Sequence, residues 1–330
     1  MQANLFMQHK NIVILGTGGT IAGEAASASD NIGYTAAQVG VTQLMAAIPA
    51  LAAASYLLVE QVAQIDSKDM TFAVWARLAE RVHYFLARDD VQGVVITHGT
   101  DTLEETAYFL QAVLDPAKPV VLTCAMRPAT SLAPDGPQNV MDALAVAGHA
   151  GARGVMAMCA GVVHSALDVQ KVHTYQLDAF SSGDAGPVAY VEEGALRILR
   201  NWPLGQQTRG LYAIEFITIL AGAAASNDWP RVEIVMNYAG AGSAVVDALC
   251  LAGVQGLVVA ATGNGTLHHD LEAALLKAQS QGVSVVRATR CVNGRVLSKP
   301  GEALADSQGL SPVKARVALM LRLMLSGSQA

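Results

Sequence analysis

GVVITHGTDTLEETAYFLQAVL, residues 93–114, decides the fold. Val94, Val95 and Ile96 form an uninterrupted β-branched run, and the segment from Leu103 to Leu114 carries apolar residues at helical spacing. Thr102, with Glu105 three residues on, predicts a capping box at the start of that helix. A continuous apolar strand that turns directly into a helix belongs to a parallel sheet covered by helices on both faces. The same pattern recurs in NIVILGTGG (11–19), PVVLTCAM (119–126) and GVMAMCAG (154–161), then in RVEIVMN (231–237), GLVVAATGNG (256–265) and GVSVVRAT (282–289). Helical patterns such as 70–87 lie between most of these runs, and Ser311-Pro312 reads as an N-cap followed by proline at the first helical position. The alternation weakens from about 188 to 230. Hairpin-like strands are expected there, then a linker at 209–230. The chain is therefore read as an N-terminal α/β domain at 1–208 and a smaller C-terminal α/β domain at 231–330.

Composition agrees. Of 330 residues, 52% are hydrophobic, 15% charged and 5% aromatic, against roughly 25% charged in an average soluble domain. The excess apolar content is small and aliphatic, which suits buried strands under Ala-rich helices and also suits a concealed subunit interface. The net charge of −6, with no basic cluster longer than a pair, argues against a nucleic-acid partner. Residues 31–59 lack charge, yet Asn31, Gly33, Gln38, Gly40, Gln43 and Pro49 interrupt them, so no membrane span is expected. The opening MQANLFMQHK shows no basic segment followed by an apolar one, which makes the cytoplasm the expected compartment. Cys124, Cys159, Cys250 and Cys291 have no C-x-x-C spacing, and reduced thiols, mostly buried, are expected. No metal and no other cofactor is called for.

In open α/β sheets, ligands bind beyond the carboxyl ends of the strands. The first such segment is Gly16-Thr17-Gly18-Gly19-Thr20-Ile21-Ala22-Gly23. A dinucleotide-binding G-x-G-x-x-G fails because Ile21 stands where the third glycine is needed. Gly18 and Gly19 let the backbone approach a ligand and leave the Thr20 hydroxyl projecting. The second segment is Thr97 to Thr102. Thr100 and Asp101 fall at the strand-to-helix elbow, where a hydroxyl beside a carboxylate suits nucleophile activation better than capping.

GTGGTIAG (16–23) and THGTDTLEETAYFL (97–110) together resemble the two signature segments of the bacterial L-asparaginases, the asparaginase/glutaminase amidohydrolase family. The resemblance continues through Ser67-Lys68-Asp69-Met70, CAMRPATS (124–131), DGPQN (135–139), DVQK (168–171) and GNGT (263–266), and ends in SPVKARVALMLRLML (311–325). It implies a larger, doubly wound, mostly parallel N-terminal domain and a smaller Rossmann-like C-terminal domain. It further implies a homo-oligomer, usually a tetramer built as a dimer of dimers, whose active sites draw on two subunits. By position, Thr20 resembles the nucleophilic threonine and Tyr34 the tyrosine that activates or orients it. Thr100, Asp101 and Lys171 resemble the family's second triad. Ser67, Asp101 and the backbone of Ala125 resemble contacts to the α-amino and α-carboxylate groups of a small amino-acid amide. Lys68 is a further candidate substrate contact by position, standing where relatives commonly have Gln. Thr266, a candidate substrate contact, stands where many have an Asn or Ser that reaches into the neighbouring subunit's site, and His268 where some have Tyr. Glu302 is the candidate for the neighbour-supplied glutamate.

Amide hydrolysis needs a nucleophile, a proton acceptor, an oxyanion site and an acid for departing ammonia. The expected course is an aspartyl ester on Thr20, release of ammonia, then hydrolysis by water. Backbone N–H groups at 18–20 and 99–100 are candidates for the oxyanion site. Lys171 can accept a proton only when neutral, a form favoured by desolvation and opposed by Asp101. His164, Ser165 and Asp168 lie too close in sequence for a hydrolase triad and are expected in a loop. His268-His269-Asp270 is expected to be a capped helix start. An amidotransferase-type amidase subunit and a noncatalytic amino-acid-binding protein of the same fold remain as alternatives.

Overall fold

The computed structural model describes residues 10–51, 54–203 and 213–327. They form two α/β units. One comprises the described residues through Ser181 with those of Pro187–Ala213; the other comprises Ser182–Gly186 with those from Ile214 onward. The boundary expected at 208/209 lies outside the described residues, as does most of the opening MQANLFMQHK.

The larger unit runs β1 (Asn11–Gly18), α1 (Val41–Ala46), β2 (Leu57–Ile65), α2 (Phe72–Leu86), β3 (Val91–Thr97), α3 (Leu103–Leu114), β4 (Pro119–Thr123), α4 (Gly136–Gly148) and β5 (Gly154–Cys159). It continues with β6 (Val162–Ser165), β7 (Gln170–Lys171), β8 (Phe180–Ser181), β9 (Ala189–Glu192) and β10 (Ala195–Ile198). Eight strands form one sheet in the order β10-β9-β6-β5-β4-β3-β1-β2, and β7 pairs only with β8. Pairing is parallel from β2 to β5 and antiparallel from β5 to β10. The parallel strands are continuous apolar runs because both faces are covered. On one face, Ile14, Val95, Val121 and Met156 pack with α1 and α4 through Leu44, Val140 and Ala143. On the other, Trp75 of α2 stacks on Phe109 of α3, with centroids 4.9 Å apart, and its indole N–H donates to Thr106 Oγ1 at 2.8 Å.

The smaller unit runs α5 (Ala213–Ser226), β11 (Val232–Met236), α6 (Ala244–Leu251), β12 (Gly256–Ala261), α7 (His269–Ser280), β13 (Ser284–Thr289), β14 (Ala305–Asp306) and α8 (Pro312–Gly327). Its four strands are parallel, in the order β11-β12-β13-β14. Leu257, Val259, Leu271 and Leu275 lie at the centre of a core cluster.

Three local expectations are corrected. Thr102 occupies the N-cap position of α3, but its side chain does not cap the helix. Its hydroxyl donates instead to the Ser67 carbonyl at 2.8 Å, a tertiary bond that competes with the local one. His164 and Ser165 lie on β6, buried between β5 and β9, rather than in a loop. Asp168 is held by Arg200 at 2.5 Å. The segment read as a linker, 209–230, contains α5, with Phe216 and Leu220 buried.

In the order β4-β3-β1-β2 the connection after β1 runs to one side and the connection after β3 to the other, which opens a crevice beyond the carboxyl ends of β1 and β3. Among the described residues, no helix is long and apolar enough to cross a membrane. Ile14 sits fully buried at the centre of this sheet. We expect Ile14→Ala to cost about 2–5 kcal/mol, measured as a lower urea midpoint at an unchanged m-value.

Candidate active site

The loops after β1 and β3 form the floor of the crevice. Thr17 Oγ1 donates to the Thr97 carbonyl at 2.9 Å and ties the two strand ends together. Gly18 and Gly19 then adopt φ values of +102° and +82°, which L side chains rarely tolerate. Thr20 opens a single 3₁₀ turn, Thr20–Ala22, and is buried. Its Oγ1 lies 2.7 Å from the hydroxyl of Tyr34. Tyr34 is brought back over this turn by a small ladder in which Glu24 and Thr35 exchange backbone bonds of 3.0 and 2.9 Å. Gly23 makes room for the ring: a Cβ there would stand 2.9 Å from Tyr34 Cδ2.

At the second loop, Lys171 Nζ donates to Thr100 Oγ1 at 2.8 Å and to Asp101 Oδ1 at 2.6 Å. The three side chains therefore meet, although Lys171 is some 70 positions from the elbow. β7 delivers it, and the Lys171 backbone N–H is fixed by Glu104 Oε1 on α3 at 3.3 Å. Ser67 joins the same cluster: its Oγ accepts the Asp101 backbone N–H at 3.2 Å. Gly19 packs on Gly99, and Gly99 on Ser67, so closely that neither glycine has space for a Cβ.

Three residues with no role assigned from sequence hold this floor in place. His98 is fully buried, with Nδ1 donating to the Gly99 carbonyl at 2.7 Å and Nε2 without a partner. Burial pushes its pKa down to about 4, so the ring is neutral across the physiological range. Asp135 accepts the backbone N–H groups of Met126 and Arg127 at 2.9 and 3.0 Å. Asn139 donates to the Cys124 carbonyl at 2.9 Å. Together they fix the loop that presents Ala125. The sequence signal was DGPQN, in which Asp135 and Asn139 are one helical turn apart at the start of α4.

Other expected residues have partners of their own. Lys68 turns into solvent, where Nζ pairs with Asp66 at 3.1 Å and Asp69 at 2.8 Å; the hydrogen bonds it donates to Asp69 and Asp66 raise its pKa. Thr266 and Glu302 belong to the smaller unit. The Thr266 hydroxyl donates to the Thr262 carbonyl at 3.0 Å. Glu302 pairs with the guanidinium of Arg287, which also donates to the Gly265 carbonyl at 3.4 Å, and this pairing lowers the Glu302 pKa. His268 caps α7, its Nδ1 accepting the Asp270 N–H at 3.3 Å. Among the described residues, one group of potential metal ligands converges: His268, His269 and Asp270, whose ligand atoms lie within 4.8 Å of one another. The capping role already occupies Nδ1 of His268.

The family model described as "Asparaginase, N-terminal" matches residues 11–204, and "Glutaminase/Asparaginase C-terminal domain" matches 231–329. L-asparaginase 2 of Escherichia coli (strain K12) is 38% identical over 95% of this chain and 88% of its own length. L-asparaginase 2 of Bacillus subtilis (strain 168) is 37% identical over 95% and 82%. Glutaminase-asparaginase of Pseudomonas fluorescens biotype A is 37% identical over 95% and 86%. The crystal structure of a probable cytoplasmic L-asparaginase from Campylobacter jejuni superposes with a TM-score of 0.86, 37% identity and 95% coverage of both chains.

The buried His98 yields a pH prediction. Its folded pKa of about 4 lies below the ordinary value of about 6.5, so between these values the unfolded chain binds a proton that the fold refuses. Stability therefore falls as pH drops from about 6.5 to about 4, by up to roughly 3 kcal/mol from this group. Urea midpoints at pH 7 and pH 5 should diverge more for the wild type than for His98→Asn. An equal divergence would rule this out.

Proposed function

Because this chain belongs to the asparaginase/glutaminase family, we propose that it hydrolyses the side-chain amide of L-asparagine to L-aspartate and ammonia, with some glutaminase activity, through an acyl-enzyme on Thr20. The observation that carries this reading is the convergence of two hydroxyl-centred groups, Thr20 with Tyr34 and Thr100 with Lys171 and Asp101, on one glycine-lined floor. A binding protein needs neither hydroxyl activated.

In the first half-reaction, Thr20 Oγ1 attacks the amide carbon of the substrate. Tyr34, at 2.7 Å, is the group placed to orient that hydroxyl and to relay its proton, accepting it on the phenolic oxygen as its own proton passes to the departing nitrogen. The Gly19 N–H is committed to the Ile65 carbonyl at 2.9 Å, so oxyanion charge falls towards the backbone N–H groups of Thr20 and of residues 99–100, where glycine lets the main chain come close. Ammonia leaves after protonation, and the aspartyl ester on Thr20 remains. Water then attacks the ester, with Thr100, Lys171 and Asp101 forming a continuous hydrogen-bonded path for its proton. The α-amino group is assigned to the Asp101 carboxylate, and the α-carboxylate to Ser67 and the Ala125 backbone. Lys68, neutralised by Asp66 and Asp69, faces away from that role.

Thr266 and Glu302, with their alternative hydrogen-bond duties, are assigned to the neighbouring subunit's site in a homo-oligomer, a tetramer built as a dimer of dimers. The cytoplasm is the proposed compartment, in keeping with the description of the Campylobacter jejuni protein.

The test is ammonia release from L-Asn, L-Gln and D-Asn across a range of concentrations, with L-Asn expected to give the highest kcat/KM. Thr20→Ala should lower kcat by at least about 10³-fold, a conservative floor for removing a hydrolase nucleophile, with the circular-dichroism spectrum unchanged. Retained turnover would overturn the assignment of Thr20.

A further inference from the structure

Two thiols unused by the proposed reaction lie beneath the substrate loop. Cys159 ends β5, and Cys124 follows β4 directly. The parallel register pairs Val121 with Met156 and Thr123 with Met158, so the next pair along is Cys124 with Cys159. Val121, Met156 and Met158 face the core cluster shared with α1 and α4. Alternation along the strands therefore places both cysteines on the opposite face, side by side. Cys159 Sγ donates to the Leu177 carbonyl at 3.6 Å. Adjacent strands run about 4.8 Å apart, inside the roughly 4.4–6.8 Å window of Cα separations that a disulfide spans. Neither strand has to move far for the two sulfurs to bond.

We propose that Cys124 and Cys159 form a reversible intramolecular disulfide when the protein meets a peroxide, and that closing it weakens substrate binding. The second half rests on the assignment of the Ala125 backbone to the substrate carboxylate. In the first step the Cys159 sulfur, having lost its proton to solvent, attacks one peroxide oxygen. The O–O bond breaks, leaving a sulfenic acid on Cys159 and a hydroxide that is protonated to water. The Cys124 sulfur then attacks the sulfenic sulfur, the S–S bond forms, and a second water departs with the Cys124 proton. Two thiols are oxidised by two electrons and one peroxide is reduced to two waters. Cys159 leads because it retains a trace of solvent exposure while Cys124 has none.

The surroundings make the bond consequential. The Cys124 carbonyl is held by Asn139, and the N–H groups of Met126 and Arg127 by Asp135. Ala125 lies between these two anchors, so a shift at Cys124 is taken up in the Ala125 peptide. Oxidation also removes the Cys159 hydrogen from the Leu177 carbonyl. The neighbouring Cys159 thiol and burial hold the Cys124 thiol well above its ordinary pKa, which keeps it protonated near neutral pH. Raising the pH should therefore speed closure. The exposed Cys291 serves as an internal comparison.

The experiment treats the purified protein with hydrogen peroxide, blocks remaining thiols with N-ethylmaleimide, and reads peptide masses and steady-state kinetics. The expected result is a cross-linked peptide joining Cys124 to Cys159, formed faster at higher pH, with KM for L-asparagine raised several-fold and kcat little changed. Dithiothreitol should reverse both effects, and neither should occur in Cys159→Ser or in Cys124→Ser, two variants that guard against one failing to fold. Absence of the cross-link, or pairing only through Cys250 or Cys291, overturns the disulfide. A complete cross-link with unchanged KM overturns the coupling to substrate binding. If the untreated protein released no ammonia from L-asparagine, the proposed reaction would fail, while the peptide mass would still decide the disulfide.

Discussion

Gly19 and Gly99 meet backbone to backbone, and a Cβ on Gly19 would come closer than 3.0 Å to three Gly99 and His98 atoms. The two threonines at the centre of the candidate site, Thr20 and Thr100, are the next residue in each loop. Their spacing is therefore set by a contact that only glycine permits, not by flexible side chains. Everything below that contact serves to hold it. β1 and β3 are paired in register from Ile12 with Gly93 to Gly16 with Thr97, and the Thr17 hydroxyl carries the tie one residue further to the Thr97 carbonyl. The apolar runs that fill the sheet thus have a chemical consequence: they fix the two loop origins rigidly enough for a glycine–glycine contact to define a site.

His98 extends the same constraint electrostatically. A fully buried imidazole with one unpartnered nitrogen is costly to charge, and its low pKa keeps it a neutral donor to the Gly99 carbonyl. That bond fixes the carbonyl end of the Gly99–Thr100 peptide from below, while Ser67 fixes Asp101 from the side. The elbow is held by bonds to the backbone, which leaves the hydroxyl of Thr100 and the carboxylate of Asp101 to Lys171. Positioning and chemistry are divided between main chain and side chain.

The parallel sheets were legible because apolar strand runs and helical spacing are local signals, and so were the two elbows, where glycine follows a buried run. What could not be read locally was anything decided by tertiary competition. Thr102 and Glu105 spell a capping box, yet the Thr102 hydroxyl prefers the Ser67 carbonyl, a partner 35 positions away. VVHS at 162–165 is too short to announce a strand without the β5 and β9 neighbours that pair with it. Asp135 and Asn139 look like the polar start of a helix, and only the folded chain shows them gripping the Ala125 loop. Lys171 entered the candidate site through family resemblance, since no spacing links a residue on a two-residue strand to an elbow so far back in the chain.

The smaller unit shows how the same ambiguity limits a role assigned by position. Arg287 is nearly buried, and its guanidinium holds Gly265, Ser298 and Glu302 together. A buried charge costs several kcal/mol unless it is paired and hydrogen-bonded, so the Glu302 carboxylate has a structural reason to stand where it does. Gly265 lies against this guanidinium with φ +83° and no space for a Cβ. Thr266 follows it, as Thr20 follows Gly19 and Thr100 follows Gly99. A hydroxyl placed immediately after a glycine that another group presses against is the recurring device of this chain. Glu302 therefore acts first on the shape of the 263–266 turn, through Arg287, and any contact it makes with a ligand comes from a carboxylate already committed to that turn.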